Sequence, residues 1–436
     1  MPKSKLVVIF SLIFLLANFF SLLYFPLDQG SSIKDGEFYD FKARVAGLDK
    51  RLKGWQIIIR PLDQRQIPGK ILVYSPLYPE HGYGEIWQLR CRLSRPEPIV
   101  GEDQRVFFYD QYLAKDKIYA LCYRPEIKIV GQEKNWAYYF YQVKSYLWAS
   151  LNIYLVEPAS SLAKALLLSS RRETPAEINN IFARVGLSHV IAISGMHLVI
   201  IAWLLEAFLI ALGLSRKSVS WWVLSIILFY LYLTGLPGSG VRATLMIALI
   251  LLGRSLGRYS SPFYSLLLSA VILVLINPHI LLYDIGWQLS FLAVLGLLCY
   301  VRFFNKFLFF VPEFLKIREV LAVTLAAQVF TTPLILYYFG IFSLVAPLAN
   351  FIILPISTLI LVLSLILGIG GFWPLAAQIL AWPLLICFKI MVLTAAVLAD
   401  LPGAYIRIDY FPWPYLLISL VVVSIFTLII KPYRYE

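Results

Sequence analysis

The stretch "LSHVIAISGMHLVI" (187–200) sets His189, Ser194, Gly195 and His197 into a run that is otherwise aliphatic. Ser194 and His197 are three residues apart and share one helix face, while Gly195 between them weakens the helix or admits close packing. Such groups are costly at membrane depth unless they face a bundle interior or water. The stretch therefore reads either as the wall of a polar path or as polar glue between neighbouring helices.

The rest of the chain supplies the membrane. Of 436 residues, 60% are hydrophobic and 14% charged, against roughly a quarter charged in a soluble domain. A first apolar run, Leu6 to Phe25, follows Lys3 and Lys5 and is long enough to span a bilayer; Pro26-Leu27-Asp28 after it is no small-residue cleavage site. We read residues 1–29 as an uncleaved signal anchor with a cytoplasmic N-terminus. Nine further spans are expected near 190–212, 219–235, 241–257, 262–276, 287–301, 317–338, 343–368, 373–398 and 412–430, several of them short enough to be half-helices around a cavity. Ten spans put Arg216/Lys217, Arg254/Arg258, Arg302/Lys306/Lys316/Arg318 and Lys431/Arg434 on the cytoplasmic side, with the C-terminus. The net charge of +13 thus mixes a topology signal with a mildly basic outer surface and need not mean nucleic acid.

Polar residues concentrate in 30–135. "YDFKARVAGL", "WQIIIRPL", "GKILVYSPL", "EIWQLRCRLSRP" and "KIYALCYRPEIKIV" are short, rich in β-branched and aromatic residues, and divided by Gly, Pro and charged turns. Five such strands fit an OB-like β-barrel, which the topology places outside the cytoplasm. A ligand-free β domain is the plainer reading. This segment has 18 Lys and Arg against 14 Asp and Glu, +4. Trp87, Arg90, Arg92, Arg95 and Tyr123 are its candidates for the basic groove and stacking platforms of a single-strand binder. Cys91 and Cys122 both lie in expected strands, and an oxidising compartment makes a disulfide plausible; zinc ligand spacing is absent. Cys299 and Cys387 sit in apolar runs as small hydrophobes. Residues 136–188 read as an aromatic interfacial helix and a polar connector, with Thr174 and Glu177 forming a capping box for a short helix. Residues 189–436 read as a helical membrane domain.

Three more polar clusters interrupt that domain. "TGLPGSGVRATLM" holds Pro237, Ser239 and Arg242; "LLYDIGWQLSFLA" holds Asp284, Gln288 and Ser290; "AAQVFTTPLILYYFGIFSLVAPLANFIILP" holds Gln328, Thr332 and Asn350. They are what a polar path requires, although Arg242 and Asp284 equally fit a structural ion pair.

These four motifs carry a resemblance. "LSHVIAISGMHLVI" is similar to the signature of the ComEC competence family, approximately HLLAISGLH. The family's Gly-Pro-Ser stretch leading into Arg-Ala-x-x-Met resembles "GLPGSGVRATLM", its Asp-x-Gly-Phe-Gln-Leu-Ser-Phe resembles "DIGWQLSF", and its Thr-x-Pro, Phe-Gly and Asn-x-x-x-x-Pro resemble "TTPLILYYFG" and "ANFIILP". The resemblance implies an inner-membrane channel that passes single-stranded DNA into the cytoplasm during natural transformation, with the OB-like domain contacting incoming DNA. Many members also end in a metallo-β-lactamase-like domain with a His-x-His-x-Asp-His site. The four histidines, His81, His189, His197 and His279, contain no such motif, so this chain is expected to have no metal-dependent nuclease activity of its own, to be no enzyme, and to need no cofactor. "GLPGSG" lacks the Gly-Lys-Ser/Thr ending of a phosphate loop. The expected partners are single-stranded DNA, the lipid bilayer, a separate cytoplasmic ATPase, an outer DNA receptor and a separate nuclease. Arg242, Lys164, Arg171, Arg172 and Arg184, with exposed helix N-termini, are the candidate phosphate partners near the entrance. Two rival readings are a small-solute or proton-coupled transporter and an intramembrane serine hydrolase built on Ser194.

Overall fold

The computed structural model describes residues 33–51, 54–63, 67–100, 106–170, 173–191, 194–257, 261–313 and 316–430. The expected signal anchor, Arg171, Arg172, Arg258, Lys431 and Arg434 lie outside the described residues. The chain divides into two compact units, one taking in the described residues up to Tyr146 together with Val271–Asp284, the other Leu147–Ala270 and everything from Ile285.

The first unit is built on β1 (Phe38–Arg51), β2 (Gly54–Pro61), β3 (Lys70–Ser75), β4 (Glu85–Ser94), the two-residue β5 (Ile99–Val100) and β6 (Val106–Phe107), β7 (Ile118–Tyr123) and β8 (Glu126–Gln132). All five expected strand segments fall on strands. The last of them divides into β7 and β8 at Arg124, whose φ of 50° is left-handed, followed by Pro125, which has no amide hydrogen for a ladder. Alternation decides which side faces in. In β4, Trp87, Leu89, Cys91 and Leu93 are buried while Arg90 and Arg92 point out, the period of two that a pleated strand imposes. β1 pairs with β4 along its first half (Phe38↔Arg92 to Arg44↔Ile86) and with β2 along its second, bending at an irregularity between Val45 and Gly47. β3 pairs antiparallel with β2 and parallel with β7, β7 pairs with β4, and β8 adds to β4.

The inward residues form one cluster that includes Phe41, Val45, Ile57, Ile59, Ile71, Val73, Trp87 and Leu89. Cys91 and Cys122 are joined within it by a disulfide with Cα atoms 6.2 Å apart. A short helix, α1 (Tyr109–Ala114), covers the opposite face of β3 and β7 through Leu113 on Leu72 and Leu121.

Helices follow: α2 (Trp136–Tyr154), α3 (Ala159–Leu168), α4 (Ala176–Arg184), α5 (Gly195–Ala211), α6 (Arg216–Leu233), α7 (Gly238–Ser255), α8 (Pro262–Ile276), the one-turn α9 (Ile280–Tyr283), α10 (Ile285–Phe307), α11 (Ile317–Phe339), α12 (Ala346–Gly370), α13 (Pro374–Ala399) and α14 (Trp413–Ile430), with β9 (Ile341–Ser343) and β10 (Tyr405–Arg407) paired between them. Among the described residues four helices, α10 to α13, are long and apolar enough to cross a membrane. α3, α5, α8 and α14 are shorter apolar helices or spans.

In the second unit every residue of α3 is buried. Its apolar residues share one cluster with Leu147, Leu151, Ile353, Ile360, Leu384 and Phe388. α10 and α11 approach so closely that a Cβ built on Gly296 would stand 2.3 Å from the Ala326 carbonyl oxygen. Thr174 and Glu177 do not form the expected capping box. Pro175 occupies the N-cap of α4, and the Thr174 hydroxyl is buried without a hydrogen-bond partner among the described residues. Pro175 at φ −54° and ψ 141° has already set the extended turn into the helix, and it has no side-chain acceptor to offer.

Candidate functional site

Three of the polar motifs of the second unit lie where helices begin. Ser194, extended at φ −105° and ψ 163°, is the N-cap of α5, and Gly195 is its first residue. Within the expected span near 190–212 the described helix begins at Gly195. Ser194 and His197 form a reciprocal box: the serine side chain meets the His197 amide, and the Ser194 amide donates to His197 Nδ1 at 3.2 Å. The serine hydroxyl also lies 3.3 Å from Nδ1. His197 is fully buried and its Nε2 has no hydrogen-bond partner among the described residues. His189, in the turn before α5, is exposed.

A second break lies in "TGLPGSGV". Gly235 and Leu236 both take positive φ, 85° and 56°, and Pro237 is the N-cap of α7. Two successive left-handed residues end α6 with a reversal that ordinary residues resist. Leu236 adopts it at a site where the Pro237 ring dictates the next φ. A Cβ on Gly195 would meet Ala243 at 3.3 Å, and one on Gly240 would meet Leu198 at 3.6 Å. The first turns of α5 and α7 therefore pack against each other. From this contact Arg242, 4% exposed, donates from Nη2 to the Gly286 carbonyl at 2.8 Å in the first turn of α10. The starts of α5 and α7 thus pack together, and the Arg242 guanidinium ties α7 to the start of α10. A helix start carries partial positive charge.

Other candidates serve the helices themselves. Gln288 is hydrogen-bonded to Tyr338, and Ser290 lies half-buried on α10. Thr332 donates to the carbonyl of Gln328 at 2.7 Å, and Asn350 donates to Thr324 at 3.2 Å, tying α12 to α11. Asp284 belongs to the first unit, where it accepts from Lys115 at 3.2 Å beside the Asn277 amide bonded to the Lys115 carbonyl.

The basic candidates divide by burial. Lys164, proposed from sequence as a phosphate partner, is 2% exposed, with Glu173 at 2.7 Å, Glu157 at 3.7 Å and the Trp148 ring 4.6 Å away. This corrects the sequence reading: buried Lys164 is neutralised, because a lysine inside an apolar helix needs a counter-charge more than a ligand. Arg184 is exposed at the end of α4, with its guanidinium over Tyr405 at 5.5 Å.

In the first unit Trp87 is wholly buried and donates to Glu85 at 2.8 Å, so it offers no stacking face; its inward register in β4 decides this. Arg95 and Arg92 donate to the Ile33 and Gly36 carbonyls, fixing the segment before β1. Arg90 lies over exposed Phe38 at 5.6 Å. Tyr123 is 57% exposed and stacks on Tyr74 at 4.8 Å and 9°, and Tyr74 in turn bonds Tyr109 through the hydroxyls. Partial burial and neighbouring Tyr74 raise the Tyr123 phenol above its ordinary value, so it presents a neutral ring. Sequence inspection missed Tyr74 and Phe38, whose roles depend on strand partners. The alternation of β3, which turns Tyr74 outward beside Leu72, was the available signal.

No group of three or more metal-ligating side chains occurs among the described residues.

Residues 166–433 match the family model described as Competence protein. Among curated relatives, the chain is 25% identical over 283 residues to ComE operon protein 3 of Bacillus subtilis, covering 64% of this chain and 36% of that protein. It is 27% identical over 214 residues to Uncharacterized protein YcaI of Escherichia coli, covering 47% and 28%. The chain spans about a third of the length of these relatives. No solved structure matches it. With more than half of its length matched by the family model, the chain belongs to the Competence protein family.

Proposed function

We propose that this protein is a multi-pass inner-membrane channel that conducts single-stranded DNA into the cytoplasm during natural transformation. The observation that carries this reading is the packing of the α5 start on the α7 start, with buried Arg242 of α7 bonded to the start of α10, inside a Competence-family helical unit. A phosphodiester leaving water needs replacement donors, and helix N-termini beside a guanidinium are such donors. About ten spans with both termini cytoplasmic agree with the distribution of Arg and Lys. The first unit is read as an extracytoplasmic OB-like barrel, supported by the pairing order β1-β2-β3-β7-β4 with β1 returning to β4. Its DNA contacts are Tyr123 on Tyr74 and Arg90 over Phe38, stacking surfaces of the kind that hold single strands. Pulling requires a separate cytoplasmic ATPase, delivery an outer receptor, and removal of the other strand a separate nuclease.

The test is DNA uptake in a deletion strain complemented by this chain, scored separately for surface binding and for entry. Entry restored by the wild type, and lost in Arg242→Gln with surface binding intact, is the expected result. Complementation without any DNA entry overturns the reading, as does transport of a small solute in proteoliposomes free of DNA.

One contact favours a second reading. Ser194 Oγ at 3.3 Å from His197 Nδ1 is a serine-histidine pair of the sort that activates a nucleophile. Against it, Nδ1 already accepts the Ser194 amide, and no carboxylate orients Nε2 among the described residues. Ser194→Ala separates the two, since a hydrolase loses all turnover and a channel keeps part of its transport.

A further inference from the structure

The structure assigns to His197 the role of a tautomer-locked cap: a neutral imidazole with its proton on Nε2, which fixes the break before α5 and does not itself contact the transported strand. This rests on the channel reading for its functional consequence but not for its chemistry.

The argument begins with what each atom is able to do. A backbone amide only donates, so the 3.2 Å contact from Ser194 N requires a lone pair on His197 Nδ1. An imidazolium carries protons on both nitrogens and has no lone pair to give, and the Nδ1–H tautomer would set proton against proton. Only the Nε2–H form satisfies the contact. The Ser194 hydroxyl, 3.3 Å from the same nitrogen, is then the donor in that pair, while its oxygen remains available to the His197 amide. Glu or Gln ordinarily returns the bond at the third position of a capping box. A glutamate there would bring a full charge into a site that is completely buried, whereas neutral imidazole returns the same bond without one.

Position explains why the cap is needed. Ser194 and Gly195 stand where α5 packs on α7, with Gly195 against Ala243. A frayed first turn of α5 would move backbone into that packing. Fixing Ser194 in its extended conformation starts the helix at Gly195 and keeps its first turn against Ala243, the residue after Arg242. His197 is a positioning residue, buried at 0% exposure, and a strand of nucleotides has no route to its Nε2 without moving α5.

The test has a spectroscopic and a functional arm. His197 follows Met196, while the other three histidines follow Glu80, Ser188 and Pro278. Labelling Met carbonyl with carbon-13 and His with nitrogen-15 therefore gives His197 a unique backbone signal in the full chain reconstituted in lipid. From it the ring nitrogens are assigned without any variant. The expected spectrum at neutral pH has an unprotonated Nδ1 and a protonated Nε2; protonated Nδ1, alone or with Nε2, overturns the proposal.

In the functional arm, His197→Gln returns the bond to the Ser194 amide through its side-chain oxygen, and His197→Leu fills the same buried site without returning it. At matched protein levels, His197→Gln keeps most DNA entry and His197→Leu loses it by at least about fivefold, the scale of a lost helix cap. Equal loss in both variants means that the imidazole itself is needed rather than the cap, and the proposal fails. If the wild type itself passes no DNA, the channel reading fails while the spectrum still decides the tautomer.

Discussion

Residue identity decided less than residue setting. Trp87 and Tyr123 both read as stacking platforms, yet one is core and the other is 57% exposed. Parity along β4 and β7 separates them, and parity is fixed only once the strand ends are known. Lys164 shows the same limit, since nothing local to α3 announces that Glu173 will neutralise it. His81 supplies a prediction at this scale. It is 6% exposed, hydrogen-bonded through Nε2 to Ser75 at 3.0 Å, and its Nδ1 has no partner among the described residues. Burial lowers its proton affinity, with Glu85 opposing in part. The folded pKa thus lies below the unfolded value of about 6.5. Its contribution is fully present above that value and is lost as pH falls through the folded pKa, because the unfolded chain takes the proton first. Melting temperatures of the purified protein at pH 8 and pH 5 check this. The acid-side drop should be smaller in His81→Gln than in the wild type, and equal drops would refute the assignment.

At the scale of elements, the four motifs legible in the sequence mark helix starts and helix contacts. Pro237 and Ser194 are N-caps, and the left-handed Gly235 and Leu236 end α6. Glycine and proline announced those breaks because their backbone limits are local properties. The closeness of α10 to α11 was not legible, since Gly296 is one of 24 glycines and only its partner distinguishes it. Gly296→Ala would bring a methyl group within 2.3 Å of the Ala326 carbonyl oxygen. Helix separation must follow, at a cost of about 1–3 kcal/mol by analogy with overpacked cores. A thermal-shift measurement in detergent should show clear destabilisation, whereas Gly235→Ala, with nothing within 4 Å, tests backbone strain at a positive φ without that clash.

Across the whole molecule, composition separated a sheet-rich unit from an apolar helical one before any coordinates. The disulfide is the strongest covalent constraint in the first unit, closing a loop over a sequence separation of 31 residues. Loop-entropy arguments give such a closure about 4 kcal/mol. Hydrogen exchange of the full chain in lipid, compared between wild type and Cys91→Ala/Cys122→Ala, should show faster exchange in β4 and β7 with α12 and α13 unchanged. Loss confined to the helices would contradict the placement of the bridge in the sheet core.

By itself the sequence determined the membrane class, the location of the β strands, the helix breaks and the family motifs, because hydrophobic period, proline and glycine act over a few residues. Only the tertiary structure decided that Trp87 is core, that Lys164 is neutralised, that Arg242 spans to Gly286 and that His197 caps α5. Burial, pairing and proton position depend on what a side chain meets across space, and each of the first three partners comes from an element or turn that local pattern does not place. The His197 cap was within reach of its own sequence neighbourhood, but choosing it over a ligand role required knowing that the ring is buried.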